Sequence, residues 1–410
     1  MKRGECTPIF TLPKEVVSVL ARFACAGKEA YCVGGCVRDL LLGKMPHDWD
    51  ITTACTPNET LALFKDAKTI PTGIAHGTVT VILNGSALPL EITTFRIDGG
   101  YADHRRPQSV QFTASIAEDC ARRDFTVNAM AYHPTQGLVD LYHGQEDLVA
   151  RRIRCVGEPE RRFSEDALRI LRALRFSSVL DFDIEAETQK AAHALAHTLS
   201  HVSKERLCAE FLKLIGGARA ADILCAYPDV LSYVLPPLSA LSDAALRAPL
   251  KDAFACLDDA ETRLAACLYL CQVNAESAEK RLHALTVSNA TKDTVCALLR
   301  SVHLLLPPDR IAMRKRLAKT PYALLVKQLC FTSVIYGCSP AHALSLLHDV
   351  QKNGDIVSVS ALAVNGHDLS ACGYRGAEIG DALQTLLDAV MEERVENEKE
   401  ALLIYLKKQS

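Results

Sequence analysis

The chain has 410 residues, 49% of them hydrophobic and 23% charged, with a net charge of −3. That length calls for two to four compact units with ample core, and the composition excludes a disordered chain. The near balance of charge excludes coating of nucleic acid by bulk positive potential, and no apolar run is long enough to cross a bilayer.

Met1 to Lys14 carries Glu5 and Pro8 and no long apolar stretch, so no signal peptide is expected. Glu15 to Cys25 has the spacing of an amphipathic helix. Glu29 to Gly34 reads as a strand running into the glycine pair Gly34-Gly35. Val37 to Leu42 reads as a short helix ended by Gly43, and Trp49 to Thr53 as a second strand. Thr56-Pro57-Asn58-Glu59 opens a helix: Thr56 suits the N-cap, Pro57 the first turn, and Glu59 completes a capping box. Gly77 to Leu83 and Leu90 to Phe95 have strand composition, with Asn84-Gly85 as a hairpin signal between them. These elements predict an α/β or α+β unit with a mixed sheet, ending near residue 150. From Ser164 onward Ala, Leu and helix-period apolar positions dominate, and breaks at Gly216-Gly217, Pro228, Pro236-Pro237, Pro307-Pro308 and Gly354 divide a helical remainder.

The 16 cysteines include no C-x-x-C pair, and most stand in apolar surroundings. Reduced, buried thiols in a cytoplasmic protein are the expected state, with no zinc site. No feature specifies an oligomeric state.

Three constellations carry chemistry. The first is Gly34-Gly35-x-x-Arg38-Asp39 followed by Asp48-Trp49-Asp50. Glycines let backbone N–H groups approach an anion. In an extended segment Asp48 and Asp50 share a face, and two like charges that close call for a cation. Hard oxygen donors near phosphates suit Mg²⁺, so the block points to a metal-dependent site for a nucleoside triphosphate. Glu91, opening a later strand, is the candidate third carboxylate; the alternative is a surface acid at a strand end.

The second constellation is Arg122-Arg123-Asp124-Phe125-Thr126-Val127-Asn128. Arg123, Asp124 and Asn128 can brace a triphosphate and read a ribose hydroxyl. The alternative is a capped helix start, with Asp124 accepting from backbone N–H groups. The third spans Phe163 to Phe176 and is read as one helix. Leu168, Leu171 and Leu174 form its buried stripe, and Asp166, Arg169 and Arg172 share another face. At its plainest this is an intrahelical ion pair worth about 0.3–0.5 kcal/mol. Its sharper meaning is an acceptor beside a donor that mimics a Watson–Crick partner. Asp166 would accept from the exocyclic amine of C or A, and Arg169 would donate to the ring. U and G would set a carbonyl against the carboxylate. From Arg105 to Arg175 the chain has twelve arginines and no lysine, which supplies planar forks for phosphates and base edges.

In this order and spacing the blocks resemble the nucleotidyltransferases that include tRNA CCA-adding enzymes and bacterial poly(A) polymerases, most specifically the bacterial-type (class II) CCA-adding enzymes. The likeness is close from Tyr31 to about Phe176. It continues through Ser203-Lys204-Glu205-Arg206 and Glu210-Phe211-Leu212-Lys213-Leu214, similar to the family's neck-helix motif, and through Asn365-Gly366-His367-Asp368-Leu369 and Gly373-Tyr374-Arg375-Gly376 near the tail. The resemblance implies a catalytic nucleotidyltransferase head over 1–150, a helical neck with a nucleotide-reading helix over 151–216, a helical body over 217–350 and a helical tail over 351–410 that contacts tRNA. It implies catalysis by Asp48, Asp50 and Glu91. Asp48 and Asp50 would hold two Mg²⁺ ions. Nucleotide contacts would fall to Gly34, Gly35, Arg38, Arg123, Asp124, Asn128, Asp166, Arg169, Arg172 and Arg175.

Asp140-x-x-x-Gly144-x-x-Asp147-Leu148 resembles the family's hinge, and Gly99 to Pro107 its flexible loop, which full CCA-adding enzymes carry. The implied activity is untemplated addition of C, C and A to tRNA from CTP and ATP, with no membrane partner. The dyads His348-Asp349 and His367-Asp368 lack clustered partner histidines and are read as structural. The alternatives are a poly(A) polymerase, a partial CC- or A-adding enzyme, or a non-catalytic RNA-binding module. The mixed charge from Glu392 to Ser410 speaks against the first. The retained acid pair speaks against the last.

Overall fold

The structure, a computed structural model, describes residues 10–98, 101–102, 106–107 and 110–409. The chain divides into two compact units, Met1–Ala244 and Ala245–Ser410. Most of the loop expected from Gly99 to Pro107 lies outside the described residues.

The first unit is built on a seven-stranded mixed sheet. Its strands are β1 (Ala30–Val33), β2 (Trp49–Thr53), β3 (Lys68–Gly73), β4 (Thr78–Ile82), β5 (Leu90–Thr94), β6 (Met130–His133) and β7 (Gly137–Asp140), in the spatial order β7-β6-β1-β2-β5-β4-β3. Only the central pair β2 and β5 runs parallel, with Asp50 opposite Glu91 and Ile51 opposite Ile92. The strand period of two sends Trp49 and Ile51 into the main core, with Val79, Val81 and Ile92 from neighbouring strands. Helix α1 (Lys14–Cys25) covers that core with Val16, Val19, Leu20 and Phe23. Asp50 and Thr52 point to the opposite face.

Helix α2 (Gly35–Leu41) begins two residues before the expected Val37, at the second glycine. Helix α3 (Pro57–Leu63) carries the full capping box, with Thr56 and Glu59 satisfying each other's backbone N–H groups. The hairpin expected at Asn84-Gly85 is antiparallel, but its last pair is Val81 with Leu90, so residues 83–89 form the connection instead of a two-residue turn. The hairpin of β6 and β7 was not anticipated.

Helix α4 (Ile116–Ala121) stands between β5 and β6 in the chain, and α5 (Gly144–Val149) follows β7 and packs on the turn Thr126–Asn128. The segment expected as one helix is two: α6 (Pro159–Glu165) and α7 (Leu168–Leu180). Asp166 between them is extended, with φ −142° and ψ 102°. Its Oδ1 accepts from the Leu168 N–H at 3.1 Å, the short-side-chain competition with backbone that interrupts helices. Helix α8 (Ala186–Ala194) follows, and α9 (Lys204–Ile215) packs along α7.

The second unit is helical throughout its described elements, from Arg247–Cys256 to Lys399–Gln409. One of its cores gathers Met313, Leu325, Leu329 and Leu347, and another Val364, Leu369, Leu386 and Leu402. In the dyad His367-Asp368, Asp368 completes a capping box with Asn365 and bonds Lys399 Nζ at 2.6 Å.

Candidate active site

The turn after β1 begins the site. Gly34 has φ +78° and ψ −131°, a region open to glycine and costly for other residues. Its N–H donates to the Met130 carbonyl at 3.2 Å. A Cβ at Gly34 would stand 3.2 Å from Arg123 Nη1, so the bare backbone and that guanidinium approach each other at the start of α2.

The acids sit on the adjacent strand pair. Asp50 lies within β2, whereas Asp48 lies in a bend just before it and is exposed. Glu91 is beside Asp50 in the parallel register, which sends both side chains to one face. Burial raises the Asp50 carboxyl, Glu91 adds to it, Arg123 opposes it and Asp48 adds a little more; the result is about 6. Burial accounts for most of that rise, and the neighbouring acids Glu91 and Asp48 add to it. Asp50 and Glu91 put two hard-oxygen donors side by side, the donor chemistry a divalent cation takes, and metal use is general to nucleotidyltransferases. Among the described residues no three acid, His or Cys side chains converge to enclose an ion by themselves.

The second block folds as a 3₁₀ turn, Thr126–Asn128, entered by extended backbone at Phe125. Asp124 Oδ1 accepts from the Phe125 N–H at 2.8 Å and from Asn128 Nδ2 at 3.3 Å. It therefore holds the backbone just before the turn, caps none of the turn's own N–H groups, and braces Asn128. Arg38 reaches the same place from α2: its Nη1 donates to Asn128 Oδ1 at 2.8 Å and its Nε to Asp39 at 2.9 Å. Arg172 on α7 donates through Nε to Asp124 Oδ2 at 2.8 Å. Burial pushes the Asp124 carboxyl up, but Arg172 and Arg169 outweigh it and hold it at about 2. Glu210 on α9 pairs with Arg175 at 2.8 Å and with Arg172 at 3.6 Å. Three guanidiniums surround the Phe176 ring: Arg175 at 3.9 Å, Arg172 at 5.3 Å and Arg38 at 5.4 Å from its centroid. One chain of contacts thus joins α2, the 3₁₀ turn, α7 and α9.

Asp166 and Arg169 do not share a helix face or pair with each other, because the helix breaks between them. Each is held by another residue. Arg206 Nη2 on α9 donates to Asp166 Oδ2 at 2.8 Å. Arg169 Nη1 donates to Glu165 Oε2 at 3.0 Å, and its Nη2 to the Arg122 carbonyl at 3.0 Å. These bonds use part of a guanidinium's five donors.

In the stretch likened to a hinge, Asp140 caps α5 by accepting from Gly144 and Gln145 N–H at 2.8 Å. Asp147, 1% exposed, accepts from Thr126 Oγ1 at 2.7 Å and Arg154 Nη2 at 2.8 Å.

Sequence reasoning passed over Asp119, Glu165 and the separate parts played by Arg206 and Glu210. The last two stand four apart on α9, a spacing that puts both on one helix face. Asp119 stands three and four residues before Arg122 and Arg123, the same signal.

Residues 30–154 match the family model described as the Poly A polymerase head domain. Residues 181–239 match a model described as an RNA and SrmB-binding site of polymerase A, and residues 256–406 one described as tRNA nucleotidyltransferase domain 2. The chain is 36% identical to a CCA-adding enzyme of Enterococcus faecalis, over 97% of this chain and 96% of that one. It is 51% identical to the CCA-adding enzyme of Oceanobacillus iheyensis, over half of each chain. The crystal structure of Bacillus stearothermophilus CCA-adding enzyme in complex with CTP has a TM-score of 0.83 and 32% identity, covering 97% of both chains. The chain belongs to the CCA-adding enzyme family.

Proposed function

We propose that this protein adds C, C and A in turn to the 3′ end of tRNA, using CTP and ATP and releasing pyrophosphate. The observation that carries this reading is the 36% identity to a CCA-adding enzyme across nearly the whole of both chains. No helix among the described residues is long and apolar enough to cross a membrane, and we place the reaction in the cytoplasm.

Asp48 and Asp50 would hold two Mg²⁺ ions, with Glu91 adding negative charge beside them. Mg²⁺ takes one or two carboxylates and completes its shell with phosphate oxygens and water, which suits a site without a closed set of protein ligands. When bound, the ions lower the pKa of the attacking 3′ hydroxyl and offset charge on the leaving pyrophosphate. The residues of the chain do the positioning. With the Gly34 N–H held by the Met130 carbonyl, the turn lets the N–H groups that follow it, from Gly35 into α2, meet a phosphate. Arg123 presents its guanidinium at that turn, and Arg38 steadies Asn128. Asp124 and Asn128 face the ribose.

Selectivity is assigned to Asp166 and Arg169. Asp166 accepts from the amine shared by C and A, and Arg169 donates to the ring. U and G would leave the carboxylate facing a carbonyl, a cost of a few kcal/mol at about 1–3 kcal/mol per unpaired group. Arg206 and Glu165 keep the two side chains apart from one another and aimed. Arg172 and Arg175 complete the nucleotide pocket through Asp124 and Glu210. The helical remainder would hold tRNA by shape and phosphate contacts.

The test uses tRNA transcripts lacking their last three, two or one nucleotides, each incubated with CTP or ATP alone and resolved by length. Complete CCA addition requires two additions from CTP, then a stop, and one addition from ATP to the transcript ending in CC. Long tails from ATP alone would instead mean a poly(A) polymerase. No addition from ATP to the transcript ending in CC would mean a CC-adding enzyme, addition from ATP there with none from CTP an A-adding one, and bound tRNA without extension a binding module.

A further inference from the structure

Asp119, on α4, is fully buried with no side-chain exposure. Its Oδ1 accepts from Arg122 Nε at 2.9 Å and Nη2 at 2.6 Å. Its Oδ2 accepts from Arg123 Nη2 at 3.0 Å. Thr52 Oγ1 approaches Oδ2 at 3.4 Å, and the Arg96 N–H approaches Oδ1 at 3.4 Å. A buried carboxylate of this kind is costly, and well-packed apolar groups could anchor a short helix at least as well. Its contacts show what the charge does instead.

Arg123 has two arms. Nη2 is held by Asp119, and Nη1 lies against the open backbone of Gly34. Thr52 stands two residues after Asp50, on the same face of β2. Asp119 therefore connects the strand of the metal-side acids to the arginine at the phosphate turn, and it does so from behind, where solvent and substrate do not reach it.

We propose that Asp119 is a positioning residue for nucleotidyl transfer: it grips one arm of Arg123 so that the other arm faces the triphosphate at Gly34. This rests on the function proposed above. A carboxylate gripping one arm removes rotamers the arginine would otherwise have to lose on binding, so the gain falls on the affinity for triphosphate. A purely structural anchor would change stability and leave that affinity alone.

The experiment is a double-mutant cycle on the full chain. CTP affinity is measured by calorimetry with Mg²⁺ and without tRNA, for wild type, Asp119→Asn, Arg123→Ala and the double variant. Asp119→Asn is expected to weaken CTP binding about tenfold, a difference of about 1.4 kcal/mol. In the Arg123→Ala background the same change is expected to weaken it less than twofold, because the arm that Asp119 holds is already gone. Equal losses in both backgrounds, or no loss in the single variant, would overturn the proposal. Should Asp119→Asn fail to fold, Arg123→Lys takes its place. Lysine keeps the charge but cannot grip Asp119 with one nitrogen while presenting another. A CTP affinity within twofold of wild type there would equally overturn the proposal, and a loss near tenfold would support it. Wild-type protein that binds no CTP would sink the proposed function itself, an outcome distinct from any of these.

Discussion

Asp50 and Glu91 stand side by side in the parallel register of β2 and β5. Burial and the Glu91 charge together hold the Asp50 carboxyl up at about 6, so in the protein without divalent ions its ionised form is a source of instability. Asp50→Asn removes the charge and keeps the shape. It should stabilise the metal-free protein by on the order of 1 kcal/mol, while abolishing nucleotide addition. Urea unfolding in chelator, followed through Trp49, the single tryptophan and 2% exposed, checks the first part. A variant that unfolds more easily than wild type would contradict it.

Asp48→Ala separates binding from chemistry. Addition should stop while tRNA affinity stays within about twofold, since a carboxylate repels phosphates and contributes nothing to holding RNA. Filter binding and extension assays on the same preparation decide it. Loss of tRNA binding with no effect on addition rates at saturation would remove the metal-ligand role.

Arg206 and Asp166 meet at 2.8 Å across α9 and the α6–α7 break. Arg206→Ala frees the carboxylate to which we assign reading of the exocyclic amine. The ratio of kcat/KM for CTP over UTP should fall about tenfold, corresponding to about 1.4 kcal/mol of lost discrimination. Arg169→Ala should relax the same ratio by removing the donor half. Full discrimination retained in both variants would move the base-reading groups elsewhere.

The pH dependence of stability follows from Asp124 and Arg172. Asp124 is held at about 2 in the fold, below the ordinary carboxylate value near 3.9 of an unfolded chain. The depressed acid contributes stability that is complete above the unfolded value and is lost as pH falls from about 4 toward 2. The contribution is on the order of 2 kcal/mol. Arg172→Gln should shrink the acid-side loss in that window. Trp49-monitored urea midpoints from pH 5 down to pH 2.5 would show it, and parallel curves for variant and wild type would refute it.

Gly144→Ala probes the stretch likened to the family hinge. A Cβ there would stand 2.4 Å from the Thr126 carbonyl and 2.8 Å from Met130 Cγ, so backbone must shift. A destabilisation of about 1–3 kcal/mol is expected. An unchanged unfolding midpoint would mean α5 can move away from the 3₁₀ turn at little cost.

Much of the head was legible because its signals are local. The capping box at Thr56 and Glu59 is a four-residue pattern, and the structure carries both of its bonds. The period-two run Trp49 to Thr53 sorts core from site without knowledge of any neighbour. The β6–β7 hairpin was missed because Met130-Ala131-Tyr132-His133 has little alternation; it is buried through most of its length, where apolar runs carry no period. The helix from Phe163 to Phe176 was overdrawn because its apolar stripe is sound on both sides of the break, and only the Asp166 side chain, bonding its own backbone, interrupts it.

The residue types of the site were set by the sequence alone: glycines that must leave room, acids that must repel one another without a cation, and arginines in place of lysines. Which of them touch was decided only by tertiary structure. Asp166 answers to Arg206 and Arg169 to Glu165, whereas the linear spacing matched Asp166 with Arg169. Asp119, silent as a lone acid before two arginines, becomes the link between Thr52 and Arg123 once α4 lies behind β2. The physical reason is range. Caps and periodicities act within one turn or one strand, but an ion pair in a low-dielectric interior is chosen by whichever counter-charge the fold brings within about 3 Å.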